Sequence, residues 1–222
     1  MPNLDSVNFE HRTLKLEPRS AAHPNHTAID RSFFKRSPLI CAQELLGCCL
    51  YWGETAGIIV ETEAYTEHGD EASHAFVRNY TRLFILERPP GALYIYLNYG
   101  VHWLLNFLAK GETKGFVLIR ALQPVCGLDV MRRRRRTEKE KGLCSGPGKL
   151  TQALGITAKW NEKDFFSIRS AALTRAATKP SIAVDRRIGI TKSAHLEWRF
   201  FIAGSEYVSL ARRPRALDEP SP

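Results

Sequence analysis

The stretch LYIYLNYGVHWLLNFLAKG, residues 93–111, decides the fold class, because it contains two β-rich runs on either side of Tyr99-Gly100. Two such runs separated by a glycine-containing turn predict a β-hairpin. The runs GIIVETEAY (57–65) and GFVLIRAL (115–122) predict two further strands. Several strands in sequence, with helices at their flanks, predict an α+β fold in one domain.

The predicted helices begin at local signals. Ser37 followed by Pro38 predicts a helix start, and a strand resumes at Cys48–Trp52. The segment LCSGPGKLTQALGI (143–156) predicts a Gly/Pro loop that leads into a short helix. The charge run within residues 126–141 predicts a helix with a frayed end.

Three segments carry weaker signals. Residues 66–91 have little periodicity and many polar groups, which predicts a long loop of functional interest. The stretch 186–209 predicts two or three closing strands. Residues 1–30 lack an apolar period and are predicted to be a loose N-terminal arm, which places the domain at 31–215.

The composition, with 44% of the 222 residues apolar and 25% charged, is that of a soluble globular protein. We find neither a transmembrane run nor a signal-peptide pattern, so we expect an intracellular protein without membrane association. The five cysteines form no CxxC pair, which argues against a disulfide framework and a zinc ribbon. The 32 Lys and Arg residues against 23 Asp and Glu give a net charge of +9, which favours a polyanionic partner.

Strand alternation places Glu61, Glu63 and Tyr65 on one face of the strand 57–65. The two glutamates could be solvated surface carboxylates, but the apolar residues before them direct this strand into a core. A buried carboxylate needs a partner. Arg120, the only charged residue in FVLIRAL, is a candidate for that partner.

Two further motifs leave alternatives open. The cluster His68, Asp70, Glu71 and His74 resembles a metal site by composition, but it lacks HExxH, and His74 could equally line a pocket. The segment GPGKL lacks the spacing of a P-loop, which argues against an NTPase. A glycine-rich loop with Lys149 just before a helix still suits an anion.

The arginine run 132–136 could be a solvated helix face. Like charges repel on a helix, so this run is easier to explain beside phosphates. Tyr94 and Tyr96 share a strand face and could be core aromatics. Tyr99 stands at an exposed turn and could stack on bases or wedge between them.

Six motifs occur together in one order: IVETEAY (59–65), DEASH (70–74), PPGALYIYLNYGVHWLLN (89–106), VLIRAL (117–122), LCSGPGKLTQALGI (143–156) and RIGI…WRFFIAGSEYVS (187–209). Over about residues 30–210 the chain resembles the alkyladenine (3-methyladenine) DNA glycosylase family. The resemblance implies a compact domain with a curved, mainly antiparallel sheet flanked by helices. It also implies that the protein needs no metal and no organic cofactor.

The same resemblance implies roles in catalysis and base binding. Glu63 would be the carboxylate that activates the attacking water, and Arg120 would help to hold that water and the carboxylate. Tyr65 and His74 would line one side of the pocket for a flipped base. Tyr96 would line the other side.

Further roles follow from the resemblance. Asn106 would lie at the pocket floor and disfavour normal guanine, and Tyr99 would insert into the duplex in place of the flipped nucleotide. The implied contacts to the DNA backbone are Ser145, Gly148 and Lys149 of the SGPGKL segment, together with Arg132 and Arg133 of the arginine run.

The implied function is a DNA glycosylase of base excision repair that acts as a monomer on double-stranded DNA with a damaged purine. No lysine stands in the motifs as a Schiff-base nucleophile, so we expect a monofunctional enzyme without strand cleavage. One alternative is a non-catalytic binding module for damaged DNA or structured RNA, although a carboxylate in the pocket would cost such a binder affinity. Another is a hydrolase using Glu61 and Glu63, which lack an opposing acid.

Overall fold

An eight-stranded sheet, in which every pairing is antiparallel, and five α-helices make up residues 27–209, the part of the chain that the computed structural model describes. The strands are β1 (Cys49–Trp52), β2 (Thr55–Thr66), β3 (Leu93–Asn98), β4 (His102–Lys110), β5 (Lys114–Cys126), β6 (Ala171–Thr174), β7 (Ile182–Asp185) and β8 (Arg199–Ile202). The helices are α1 (Pro38–Glu44), α2 (His74–Val77), α3 (Asn79–Glu87), α4 (Leu128–Arg135) and α5 (Pro147–Leu154). Short 3₁₀ turns lie at Arg31–Phe34, Glu140–Gly142, Ala158–Trp160 and Phe165–Ser167.

This architecture confirms the predicted α+β class. Nearly all of the predicted arm 1–30 and the last residues of the predicted domain 31–215 lie outside the described residues. No helix within residues 27–209 is long and apolar enough to cross a membrane.

Strand β2 organises the sheet, whose main order is β3-β4-β5-β2-β1-β6. One edge of β2 pairs with β5 along most of its length. Its other edge pairs first with β1 and then, at Glu61–Glu63, with β8, which in turn pairs with β7. Register shifts interrupt the β2–β5 ladder around Glu61, and such bulges bend a strand and redirect its side chains.

The core forms where α1 packs on the sheet. Ser37 caps α1, its side chain accepting a hydrogen bond from the backbone N–H of Ile40, and Pro38 occupies the first turn, as predicted. The Thr62 hydroxyl donates to the carbonyl of Ala42 at 2.7 Å, which ties α1 to β2. Strand β2 is therefore buried on both faces, and its carboxylates lie inside the protein rather than on its surface.

The predicted long loop at 66–91 is wrong, because this segment contains α2 and α3. Helix α3 buries Thr81, Phe84 and Ile85, yet Leu83 and Leu86 on its other side are exposed. Apolar residues on both sides of a helix remove the contrast between an apolar and a polar face, and a helix is predicted from that contrast.

The predicted two or three closing strands within 186–209 are also wrong, because only β8 forms there. The preceding residues 186–198 run as an irregular segment. Hydrogen bonds from the Arg187 side chain hold much of this segment in place. The alternation of residues from which a strand is predicted does not indicate such bonds. The predicted helix of the charge run is shorter than expected and ends at Arg135, because Arg136 adopts a left-handed conformation with φ of 52°.

The predicted hairpin 93–111 is confirmed, with β3 and β4 joined through Tyr99 and Gly100. Both turn residues have positive φ, 50° and 68°, and the N–H of Val101 donates to the carbonyl of Asn98 at 3.1 Å. Positive φ at both central residues suits the twist of a tight hairpin. The turn therefore holds a bulky tyrosine at the tip of a rigid ribbon.

We predict that Phe34→Ala lowers the free energy of unfolding by about 3–5 kcal/mol, because it leaves a cavity in a packed core. The Phe34 ring is fully buried and stacks on Phe107 with centroids 5.1 Å apart. Urea unfolding measures the change. Phe76→Ala is the matched control, since Phe76 is exposed. Equal losses for the two variants would contradict this account of the core.

Candidate active site

A cavity of about 190 Å³ opens beside β2, β3, β4 and β5. Its lining is mostly aromatic and polar and comprises Tyr65, Ala72, Ser73, His74, Tyr94, Tyr96, Asn98, Asn106, Phe116, Gly189 and Ile190. A larger cavity of about 600 Å³ lies between α1 and residues 175–182, but no aromatic residue and no histidine lines it. The smaller cavity is therefore the candidate site, because rings and polar groups converge there.

Strand register brings the site residues into one row. Tyr94 on β3 pairs with Asn106 on β4, Asn106 pairs with Leu118 on β5, and Leu118 pairs with Glu63 on β2. Paired residues in an antiparallel sheet share a face. Residues distant in sequence therefore meet along one line across the sheet.

Glu63 is fully buried and surrounded by hydrogen-bond donors. The Tyr65 hydroxyl donates to its Oε2 at 2.8 Å, and the backbone N–H of Ile188 donates to its Oε1 at 2.8 Å. Arg120 Nη1 lies 3.2 Å from Oε2. These three donors hold the carboxylate in one orientation next to the aromatic cavity. The predicted partnership of Glu63 and Arg120 is present.

Arg120 is buried among carboxylates. Its Nε lies 3.0 Å from Glu61 Oε1, and its Nη2 donates to the Ser209 hydroxyl at 3.3 Å. Burial alone would lower the pKa of Arg120, but the nearby Glu63 and Glu61 outweigh burial and raise it. Arg120 is therefore a permanent cation that links the two carboxylates.

Glu61 has a different role from Glu63. Arg199 Nε donates to its Oε1 at 2.7 Å, and the Ser209 backbone N–H and hydroxyl donate at 2.7 Å and 2.8 Å. These partners of Glu61 do not line the cavity, whereas Glu63 is hydrogen-bonded to Tyr65, which does. Glu61 is therefore an anchor for Arg120. A hydrolase that uses Glu61 and Glu63 as a reacting pair finds no support in this geometry.

The rings of His74 and Tyr96 are in contact, with centroids 4.4 Å apart. The resemblance implied that His74 and Tyr96 lie on opposite sides of the pocket, but their contact puts them in one wall, because no base fits between them at that distance. Tyr65 lines the same cavity separately. The difference arises because α2, which was predicted as loop, begins at His74 and carries it to the hairpin.

The wall residues are uncharged. Burial, with a smaller effect from Arg78, lowers the pKa of His74 to about 4, and His74 Nδ1 lies 2.9 Å from the Tyr94 hydroxyl. Burial, followed by the neighbouring Tyr94 and Glu63, raises the pKa of Tyr96. Burial and the Glu63 charge likewise raise the pKa of Tyr65. The cavity therefore presents neutral rings near neutral pH.

Tyr99 projects from the tip of the β3–β4 hairpin with 83% of its surface exposed. Its left-handed φ of 50° is uncommon for a bulky residue. Val101 beside it is exposed as well. The protein thus holds an apolar tip away from its own core, close to the strand that carries Tyr96.

The first turn of α5 lies against this hairpin. A Cβ at Gly148 would stand 2.6 Å from the His102 ring, so only glycine permits the approach. The Thr151 hydroxyl donates to the Trp103 carbonyl at 2.7 Å and fixes the helix to β4. Lys149 is exposed, and its Nζ lies 3.5 Å from the Ser145 hydroxyl. Gly148, one of the predicted backbone contacts, therefore packs against the hairpin that carries Tyr99.

The five arginines of the run 132–136 divide into two kinds. Arg132 pairs with acidic residues of its own segment, at 2.9 Å from Asp129. Arg134 Nη1 donates to the Ala153 carbonyl at 3.0 Å and thereby ties α4 to α5. Arg133 is exposed. Part of the run serves the fold, and the rest remains available to a ligand.

The residues weighed as a metal cluster do not converge. The His68 side chain is 88% exposed, whereas Asp70 is fully buried and binds Arg187. Within residues 27–209, no three His, Cys, Asp or Glu side chains lie together as metal ligands. The buried partners Arg187, Arg199 and Ser209 were not assigned roles from the sequence, although they lie in the motif RIGI…WRFFIAGSEYVS (187–209).

Comparisons with known proteins identify a family that this chain matches. The model of the family described as methylpurine-DNA glycosylase (MPG) matches residues 32–206. A relative from Rhodopseudomonas palustris strain BisB18 is 45% identical over 182 residues, covering 82% of this chain and 90% of its own length. One from Bradyrhizobium diazoefficiens is 40% identical over 199 residues, covering 89% and 96%. Both names assign these relatives provisionally as 3-methyladenine DNA glycosylases.

The family match spans most of the chain and includes every residue that surrounds the cavity. It also includes Glu63 and Arg120, which meet beside that cavity. On this evidence the chain belongs to the methylpurine-DNA glycosylase family.

Proposed function

We propose that this chain is a monofunctional DNA glycosylase of base excision repair. It flips alkylated or deaminated purines out of duplex DNA and hydrolyses the N-glycosidic bond, which leaves an abasic site. The proposed substrates are 3-methyladenine, 7-methylguanine, hypoxanthine and ethenoadenine. One observation carries the proposal: the buried Glu63 carboxylate, held by Arg120, Tyr65 and Ile188, lies beside an aromatic cavity.

The chemistry assigned to Glu63 has two parts. As the bond between C1′ and the purine nitrogen breaks, its electron pair leaves with the base and the sugar gains oxocarbenium character. The carboxylate stabilises that positive charge and accepts a proton from the water whose oxygen bonds to C1′. Arg120, Tyr65 and the Ile188 N–H keep the carboxylate in place throughout.

These steps use no metal or organic cofactor. None of the described residues that line the cavity is a lysine, so an amine nucleophile, and with it strand cleavage through a Schiff base, is not part of the proposal. Water is the nucleophile instead. A cationic methylated base leaves as a neutral molecule, whereas the neutral bases hypoxanthine and ethenoadenine take up a proton from water as they leave. The products are the free base and an uncut strand with an abasic site.

Recognition of the damaged base rests on the rings. An alkylated purine such as 3-methyladenine is cationic, and a cation over an aromatic face gains about 0.5–2 kcal/mol. We place the base between the wall of His74 and Tyr96 and the ring of Tyr65. A pKa of about 4 keeps His74 neutral, so it does not repel a cationic base. Asn106, buried at the floor, is the proposed discriminator against guanine.

Base flipping is assigned to the hairpin tip. Extruding a nucleotide costs a few kcal/mol, and a ring that fills the gap offsets part of this cost. The exposure of Tyr99 at the tip of a tight turn supports this assignment. The proposed phosphate contacts are Ser145, Gly148 and Lys149, together with the exposed Arg133 and with Arg132, which would exchange its pairing with Asp129 for a phosphate. All these residues come from one chain, so we expect a monomer to act on double-stranded DNA.

We predict that Glu63→Gln lowers the single-turnover rate of base release by about 10²–10⁴-fold, because an amide cannot accept the proton of water. Binding of lesion-containing duplex should be nearly unchanged, since the side chain keeps its shape. Release is measured by chromatography of the free base. Glu71→Gln is the matched control, because Glu71 is an exposed carboxylate near the pocket. An undiminished rate for Glu63→Gln would mean that another group is the base.

We expect Tyr99→Ser to weaken binding of lesion duplex by about 1–3 kcal/mol, the usual loss when a stacked aromatic is removed. The melting temperature should not change, because the side chain is 83% exposed. Fluorescence anisotropy with a duplex containing ethenoadenine measures the affinity. Tyr99→Phe keeps the ring and should bind as the wild type does. An unaltered Kd for Tyr99→Ser would contradict the wedge role.

Affinity for undamaged duplex should fall steeply with salt, because bound phosphates release counterions. Lys149→Ala should reduce the slope of log K against log salt by about 1, since one phosphate contact is removed. Titrations between low and physiological salt give both slopes. The ratio of affinities for damaged and undamaged duplex should stay constant, because the uncharged pocket sets it. A slope unaffected by Lys149→Ala would remove this residue from the interface.

A further inference from the structure

A buried ion pair lies behind the ring of Tyr65. Arg187 and Asp70 are both fully buried, and their side chains meet in a bidentate pair, with Nη1 2.6 Å from Oδ2 and Nη2 2.7 Å from Oδ1. The mechanism proposed above uses neither residue. Such a pair contributes little net stability, because desolvation offsets the attraction between the charges. Stability alone therefore does not explain why the pair lies behind the Tyr65 ring.

The guanidinium of Arg187 joins three segments that surround the cavity. It donates to the Ala64 carbonyl on β2 at 3.1 Å, to Asp70 before α2, and to the Ser193 carbonyl at 3.4 Å. A second bond links the last two segments, because the Glu71 N–H donates to the Ser193 hydroxyl at 3.0 Å. All three segments are thereby fixed relative to one another.

Arg187 also supports the ring of Tyr65. Its guanidinium carbon lies 4.5 Å from the Tyr65 ring centroid and 5.2 Å from that of Trp198. A planar guanidinium packed on a ring fixes the plane of that ring. The orientation of the Tyr65 hydroxyl, which donates to Glu63 at 2.8 Å, depends on this plane.

The residue after Arg187 contacts the carboxylate directly. The Ile188 N–H donates to Glu63 Oε1 at 2.8 Å, and the following residues Gly189 and Ile190 line the cavity. The anchored side chain of Arg187 sets where this backbone runs. Two of the three donors to Glu63 are therefore positioned by Arg187.

We infer that Arg187, clamped by Asp70, is a positioning residue for the reaction: it fixes the Tyr65 ring and the Ile188 N–H and, through them, the carboxylate of Glu63. This inference rests on the proposed function. The role requires arginine and not merely a positive charge. A planar, forked guanidinium can bind a carboxylate bidentately and stack on a ring at the same time, and a lysine ammonium cannot.

The test is Arg187→Lys, which keeps a positive charge for Asp70 but loses the fork and the stacking. The single-turnover rate of base release should fall on the order of 10²-fold, because a small misplacement of a catalytic group causes a loss of that size. The Kd for lesion duplex should rise by a much smaller factor than the rate falls, because Tyr99 and the phosphate contacts are intact and the Tyr65 ring, although displaced, is still present. Arg186→Lys is the matched control, since Arg186 is exposed, and should release base at the wild-type rate.

A wild-type rate for Arg187→Lys would overturn the inference. A parallel loss of rate, lesion affinity and melting temperature would also overturn it, since that pattern marks a merely structural residue. Should Arg187→Lys fail to fold, the double variant Arg187→Met with Asp70→Asn removes both buried charges, which a fold tolerates better than removing one.

The double variant should be folded and slow in base release. A folded double variant with the wild-type rate, or a failure of both variants to fold, overturns the positioning role. Absence of base release by the wild-type protein would instead contradict the proposed function. Wild-type release with an unaffected Arg187→Lys would contradict only the inference about Arg187.

Discussion

Four buried charges meet where β2, β5 and β8 lie side by side. Arg120 contacts both Glu61 and Glu63, and Arg199 contacts Glu61. A charge in the interior is costly unless it is paired. The three strands are therefore restricted to an alignment in which each buried charge contacts an opposite charge. Ser209 and the two arginines surround Glu61, whereas Glu63 is hydrogen-bonded to Tyr65, whose ring lines the cavity. The geometry of the site thus follows from a constraint on burying charge.

Much of the fold was predictable because its signals are local. The cap at Ser37, the Tyr99-Gly100 turn and the Gly/Pro loop before α5 each act within a few residues. Helix α3 was missed because its exposed face is also apolar. The segment 186–198 was predicted as strand because its structure depends on buried bonds of Arg187, which reach residues more than a hundred positions away.

The site was predictable in part for a similar reason. A lone arginine in an apolar strand indicates a buried carboxylate partner, and Arg120 does contact Glu63. No local pattern indicates that Glu61 is anchored by Arg199 and Ser209, or that Arg187 is the buried member of an arginine pair. Membership of the methylpurine-DNA glycosylase family gives the chemistry a context. The contacts distinguish the two neighbouring glutamates, because Glu63 is hydrogen-bonded to the cavity residue Tyr65, whereas the partners of Glu61 lie outside the cavity lining.

The most direct test of the account is the product analysis of the wild-type protein on duplexes that each carry one 3-methyladenine, hypoxanthine or ethenoadenine. The account predicts free base from at least one duplex, together with an uncut strand that breaks at the lesion position only after alkaline treatment. Tight binding to the lesions without release of any base would contradict it, because that is the behaviour of a damage-binding module. Strand breakage without alkali would contradict the assignment of water as the nucleophile.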